Sequence, residues 1–252
     1  MPIKLVISGI AGRMGSRIAS LALADSVFTV AGALEASGHP ALGQDAGAVL
    51  GGKSLGVRVS DDAAAALRTG DVLIEFTQPQ PTLEHLRLAR SAKKSVVIGT
   101  TGFSDQERAA IADAAKEIPI VFSPNMSVGV NLLFELAQIA AQRLGLSYDV
   151  EVVEAHHKHK KDAPSGTAKR LVEALAHGRK QPVENIPVHA IRAGDIIGDH
   201  TVVLAGPSER LELTHRAQSR DVFAQGALKA AQFVVAQPPG LYDMSHVLKG
   251  CP

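Results

Sequence analysis

Gly9, Gly12 and Gly15 follow a short apolar, β-branched run, Ile3–Ile7, and lead into an Ala/Leu/Ile-rich stretch that continues to Ala24. A strand that breaks at a glycine turn and restarts as a helix leaves few folds open. The turn must bring backbone amides to the helix N-terminus with no side chains in the way. The spacing G-x-x-G-x-x-G is a variant of the dinucleotide fingerprint, in which those amides and the helix dipole hold a pyrophosphate. Arg13 places a cation where the dipole does not favour one, so it is either a solvated residue or a neutraliser of bound phosphate. Glu35, at the end of a second strand-like run Val27–Leu34, is placed to accept the hydroxyls of an adenosine ribose. Ala36 beside it offers no cation to a ribose phosphate. On charge, NADH therefore suits the turn at least as well as NADPH, unless Arg13 or Lys53 makes the phosphate contact. A purely structural glycine turn, or a mononucleotide site, is the alternative reading.

The same rhythm continues. Val72–Phe76, Val96–Ile98 and Ile120–Phe122 are short apolar strand candidates, separated by helical candidates at Asp61–Arg68, Pro81–Ser91 and Ser104–Lys116. Ser104 with Glu107 three residues on is a capping-box signature. Strands alternating with helices predict a parallel, doubly wound sheet. Ligand loops of such a sheet lie beyond the strand C-termini, where the chain carries Phe76–Pro79, Gly99–Phe103 and Ser123–Met126. Their small hydroxyls and glycines suit a nicotinamide ribose and ring, and equally suit ordinary capped turns. After Asn125 the texture changes to a long helical run, Val128–Leu144, and alternating strands at Tyr148–Glu154, Val202–Leu204 and Leu211–Arg216. This predicts a second, α+β domain with a mixed or antiparallel sheet. Gln181–Pro187 reads as a linker-like loop, and Phe223–Ala236 as a final apolar helix.

Lys+Arg 26 against Asp+Glu 25 gives a net charge of +1, so no global field draws the chain to nucleic acid or an anionic membrane. One cysteine, Cys251, excludes an internal disulfide, a cysteine-based zinc site and an iron–sulfur cluster within one chain. No run approaches the ~20 apolar residues of a membrane span, and the N-terminal stretch lacks a cleavage pattern. A cytoplasmic protein is the expectation.

Glu154–Ala168 concentrates three of the ten histidines, His156, His157 and His159, with Lys158, Lys160 and Lys161, just before Pro164-Ser165-Gly166-Thr167. Three readings compete. One is a solvated basic loop ending at a helix start. A second is a metal site on the three histidines, which the adjacent lysines disfavour. The third is an anion-binding active site. Ser165-Gly166-Thr167 at a helix N-terminus offers amides and hydroxyls to a carboxylate, imidazole titrates at about 6.5 and exchanges protons near neutrality, and lysine either holds a carboxylate or gives up a proton.

These residues resemble the 4-hydroxy-tetrahydrodipicolinate reductase (dihydrodipicolinate reductase) family of the diaminopimelate route to lysine. The likeness is carried by G-x-x-G-R-M-G at Gly9–Gly15, G-T-T-G-F at Gly99–Phe103 and N-M-S-V-G-V-N at Asn125–Asn131. It is carried above all by E-A-H-H-x-x-K-x-D-A-P-S-G-T-A at Glu154–Ala168. Arg192–Asp195, Gly198–Thr201, Arg210–Ser219 and Gly240–Met244 follow in the same order. The resemblance implies an α/β chain with a Rossmann-type dinucleotide domain from residues 1–127 and 220–252. Residues 128–219 would form a central α+β substrate and oligomerisation domain, assembled through its sheets into a homotetramer. It implies an oxidoreductase that uses NADH or NADPH to reduce a small cyclic dicarboxylate to tetrahydrodipicolinate, with loss of water and no metal. By the match, His156 donates or accepts a proton and Lys160 donates one, while His157, Ser165, Gly166 and Thr167 contact the substrate. The nucleotide contacts fall on Gly9, Ile10, Ala11, Gly12, Arg13, Met14, Glu35, Gly99, Thr100, Thr101, Ser123, Pro124, Asn125 and Met126. Ala36 and Gln78 stand where several members carry arginine, which leaves the choice of nucleotide open. Another nicotinamide-dependent dehydrogenase would share the first domain without the histidine–lysine run, and a non-catalytic nucleotide sensor would tolerate its loss.

Overall fold

A computed structural model describes residues 1–250. Cys251 lies outside the described residues. The chain runs β1 (Ile3–Ser8), α1 (Arg13–Leu23), β2 (Phe28–Leu34), α2 (Ala46–Val49), β3 (Val59–Ser60), α3 (Ala63–Thr69), β4 (Val72–Glu75), α4 (Pro79–Ser91), β5 (Ser95–Ile98), α5 (Asp105–Ala114) and β6 (Pro119–Phe122). It continues through α6 (Val128–Leu144), β7 (Asp149–His156), α7 (Gly166–Arg179), β8 (Val188–Arg192), β9 (Asp199–Ala205) and β10 (Arg210–Arg216). It then closes with α8 (Asp221–Val234), β11 (Gly240–Tyr242) and α9 (Met244–Lys249). Two compact units result, one from Met1–Met126 with residues 223–250 and the other from Ser127–Val222.

Among the described residues the first unit holds a seven-stranded sheet in the order β11-β6-β5-β4-β1-β2-β3. Every neighbouring pair is parallel. Its central strands are apolar on both faces because helices cover both: Leu5–Ile7, Val72–Ile74, Val96–Ile98, Ile120 and Val121 are buried. The capping box at α5 is present, with Ser104 N–H donating to Glu107 Oε2 at 2.7 Å. Parallel pairing puts the C-terminal ends of β1, β2, β4, β5 and β6 on one edge, so the loops after them share that edge. The strand order reverses between β4 and β1, which is where a crevice opens in such sheets.

The second unit holds a mixed four-stranded sheet, β10-β9-β7-β8, with β10/β9 and β9/β7 antiparallel and β7/β8 parallel. One face packs on α6 and α7 through Leu133, Ala137, Val150, Val152, Leu171, Leu175, Val202 and Leu204. The alternation expected for Tyr148–Glu154 is there: Val150, Val152, Glu154 and His156 are buried, and the residues between them are not. The apolar row of β7 thus ends in an acid and a histidine. The Gln181–Pro187 loop contains a short 3-10 turn at Val183–Asn185.

Candidate functional site

In the first unit the glycine turn is set by backbone contacts. Gly9 has φ +68°, and its carbonyl accepts the Gly12 amide at 2.9 Å. A Cβ on Gly15 would lie 2.0 Å from the Gly9 carbonyl oxygen, so only glycine lets α1 start this close to β1. Gly12 caps α1 without a side-chain hydrogen bond, which leaves the first-turn amides to an anion. Glu35 Oε1 accepts the Ala11 N–H at 2.7 Å, so the acid that follows β2 reaches the turn itself. Ile10 is fully buried and anchors the turn, while Ala11, Gly12 and Arg13 are exposed and Met14 is half-buried. Along the same edge, Thr100 is buried and Thr101 exposed, and Gly99 abuts Phe76. Ser123 Oγ donates to the Asn125 carbonyl at 2.8 Å, with Pro124 exposed and Met126 buried. These residues fit a dinucleotide: a side-chain-free cradle at a helix N-terminus, an acid beside it, and hydroxyl-bearing loops further along the edge.

In the second unit the register of three strands gathers the polar residues. Glu154 and His156 share a face of β7, Arg192 pairs with His156 across the parallel β8, and His200 stands opposite Glu154 on β9. Glu154 is 0% exposed and all its acceptor capacity is engaged. Oε1 takes the Ser165 N–H at 3.1 Å and Arg192 Nη2 at 2.7 Å; Oε2 takes Arg192 Nη1 at 2.9 Å and Nδ1–H of His156. Arg192 also donates to the Asp162 carbonyl at 2.6 Å, tying down the loop that carries the lysines. Ser165 caps α7, accepting the Ala168 amide at 3.2 Å, and its hydroxyl lies 3.2 Å from Nε2 of buried His200. At the helix start, a Cβ on Gly166 would meet nothing within 4 Å, so space is open there. Lys160 is paired with Asp162, Nζ to Oδ1 at 2.9 Å. His157 and His159 sit outside the Glu154 hub with their rings 6.3 Å apart. Among the described residues no group of three or more His, Cys, Asp or Glu side chains is placed to hold a metal ion.

Electrostatics follow from this packing. Burial works to raise Glu154, but the Arg192, His156 and Ser165 hydrogen bonds outweigh it and hold the carboxyl below its usual value. Burial lowers His156, opposed by Glu154 and reinforced by the Lys160 and Arg192 charges. His200, 3% exposed, is pushed down to about 4 by burial and by its cationic neighbours. Its folded value thus lies below the unfolded value of 6.5. The unfolded chain takes up the proton first as pH falls, so stability is lost between pH 6.5 and about 4. The loss from His200 is expected to reach about 3 kcal/mol. Urea unfolding from pH 7 to 4.5 checks this: a His200→Leu variant should show a flatter acid limb than the parent.

Comparison with known proteins places this geometry. The family description "Dihydrodipicolinate reductase, N-terminus" matches residues 3–126, and "Dihydrodipicolinate reductase, C-terminus" matches residues 129–248. The chain belongs to the dihydrodipicolinate reductase family. Its 4-hydroxy-tetrahydrodipicolinate reductase relatives include those of Anaeromyxobacter dehalogenans, 48% identical with 97% of each chain covered, and Geotalea uraniireducens, 48% identical with 98% of each covered. Among solved structures, dipicolinate-bound dihydrodipicolinate reductase from Paenisporosarcina sp. TG-14 superposes with a TM-score of 0.82 at 24% identity. That match covers 96% of this chain and 98% of the other. Amine dehydrogenase from Mycobacterium smegmatis shares the fold at a TM-score of 0.64 and 16% identity, covering 96% and 94% of the two chains. No helix among the described residues is long and apolar enough to cross a membrane.

Within the family frame, the structure brings His156, Ser165 and the start of α7 together around Glu154, and places Lys160 on the loop that Arg192 tethers. Three members of this hub, Glu154, Arg192 and His200, were not among the residues the sequence singled out for a role. Their signal was present, since Glu154 opens the E-A-H-H run and the other two fall in the R-A-G-D and G-D-H-T segments.

Proposed function

We propose that this member of the dihydrodipicolinate reductase family reduces 4-hydroxy-tetrahydrodipicolinate to tetrahydrodipicolinate in lysine and diaminopimelate biosynthesis. The observation that carries the reading is the Glu154 hub, which sets a proton-exchanging imidazole beside a helix start with room for a carboxylate. Gly9–Met14, Glu35, Gly99–Thr101 and Ser123–Met126 would hold the dinucleotide, which when bound would supply the hydride. A hydride and a proton enter the ring and water leaves it. His156, its Nδ1–H held by Glu154, exchanges the proton at Nε2. His157, Ser165, Gly166 and Thr167 receive the substrate carboxylates, with the α7 amides and dipole as the anion contact. Lys160 moves from Asp162 to the incoming dianion. Ala36 gives the nucleotide site no cation for a 2′-phosphate, which supports NADH as a substrate at least equal to NADPH. A homotetramer in the cytoplasm is part of the same proposal.

The test is oxidation of NADH and NADPH, separately, by purified protein supplied with fresh condensation product of pyruvate and aspartate semialdehyde. Rapid oxidation is expected with at least NADH. A folded sample that binds dinucleotide and turns over with neither would leave another dehydrogenase, or a nucleotide sensor, as the better reading. Lys160 separates two roles. Lys160→Ala should lower kcat by about 10²-fold if the ammonium gives up a proton, and mainly raise KM if it only holds a carboxylate.

A further inference from the structure

One titratable cluster lies outside everything assigned above. Glu75 ends β4, whose other residues are Val72, Leu73 and Ile74, and it is 0% exposed. Its Oε1 pairs with Nδ1 of His85 on α4 at 2.6 Å, and its Oε2 accepts the Thr77 hydroxyl at 2.9 Å. Thr82 on α4 lies 3.0 Å from the Thr100 hydroxyl, which in turn accepts the Thr77 N–H at 3.0 Å. Ser8, at the end of β1, reaches His85 at 3.4 Å. An apolar side chain would fill this place at no desolvation cost, so a charged pair here is not explained by stability.

Position gives the pair a purpose. Thr77, held by Glu75, sits against Gly9, where an added Cβ would lie 3.2 Å from Thr77 Cγ2. Phe76 packs so closely on Gly99 that a Cβ there would fall 2.2 Å from the ring. The cluster therefore fixes the loops after β4 and β5 against the glycine turn. Glu35 marks the β2 side of the turn as the adenosine side, so β4 and β5 lie under the other half of a dinucleotide. We infer that Glu75 and His85 are positioning residues for the nicotinamide half of the cofactor, acting through Thr77 and Thr100. The negative charge orients the Thr77 hydroxyl inward as a donor, which leaves its oxygen to accept from a ribose hydroxyl. The groups that face His85 electrostatically are Glu75 and Glu84. Burial lowers its pKa, but the Glu75 hydrogen bond and the Glu75 and Glu84 charges outweigh burial and raise it above 6.5, so the pair loses its positive partner as pH rises.

This inference rests on the dinucleotide reading, and the experiment separates the two. Dissociation constants for NADH and for ADP-ribose, which lacks the nicotinamide, are measured on wild type, Glu75→Gln and His85→Gln. NADH is expected to bind about tenfold more weakly to both variants while ADP-ribose binds within about twofold of wild type. Wild-type affinity for NADH should weaken as pH rises through the His85 transition, and His85→Gln should remove that dependence. Equal losses for NADH and ADP-ribose, or no loss, would show the pair to be structural and overturn the inference. A wild type that binds ADP-ribose but not NADH or NADPH would overturn the cofactor reading as well. Should Glu75→Gln fail to fold, His85→Gln decides, because the His85 side chain is partly exposed, at 18%, and the amide keeps a donor for Glu75.

Discussion

Gly15→Ala is expected to abolish dinucleotide binding, weakening NADH affinity by more than about 100-fold, or about 2.7 kcal/mol. The added Cβ would lie 2.0 Å from the Gly9 carbonyl oxygen and 3.0 Å from Ile10 Cα. Both are backbone atoms, so no side chain can swing away. The turn must open, and with it go the Gly9–Gly12 hydrogen bond, the approach of Ala11 to Glu35 and the aim of the α1 amides. Overpacking of this kind also costs about 1–3 kcal/mol of stability. A fluorescence titration with NADH, run beside a thermal melt, reads both effects. Affinity for NADH within a few-fold of wild type would refute the assignment of the turn.

The second large effect is expected for Glu154→Gln. It keeps the shape of the hub while removing the charge that receives the His156 Nδ1–H and both Arg192 nitrogens. Turnover should fall about 10²-fold with the loss of a positioned proton carrier. The pH profile gives a sharper result. Glu154 raises the His156 pKa against burial, Lys160 and Arg192 lower it, and His200 stays neutral beside it. Without the carboxylate the imidazolium is less favoured, so the His156 limb of kcat/KM must move to lower pH whether His156 acts as acid or base. A purely structural Glu154 would change stability and leave the limb in place. Arg192→Met is the companion. It strands the buried carboxylate without its cation, an expected loss of about 3–5 kcal/mol, and should move the limb upward.

Much of the first unit was legible because its signals are local. β1, the glycine turn and α1 are contiguous, and the buried strands announce themselves as unbroken apolar runs between helical stretches. β3 and β11 were not visible, being two and three residues long and stable only through pairing with β2 and β6. β8 was hidden for a different reason. Val188–Arg192 is an edge strand with exposed His189 and Ala190, so no burial pattern is written into it. That omission had a cost for the site. Arg192 reaches Glu154 only because β8 pairs with β7, and His200 only because β9 pairs on the other side. Sequence spacing could gather His156, Lys160 and Ser165 because one loop joins them, but the acid that organises them is recognised by its partners.

The first unit is also discontinuous in a way that matters while the chain is being made. β6 has β5 on one side from early on, but its other neighbour, β11, is Gly240–Tyr242. Until that segment leaves the ribosome, after the whole second unit, Pro119–Phe122 presents open N–H and C=O groups along an apolar strand. Such an edge is a template for pairing with other chains. The nascent protein therefore passes through an interval of exposure to aggregation set by translation speed. Synonymous changes that slow synthesis between residues 127 and 240 would lengthen it without altering a single contact of the finished fold.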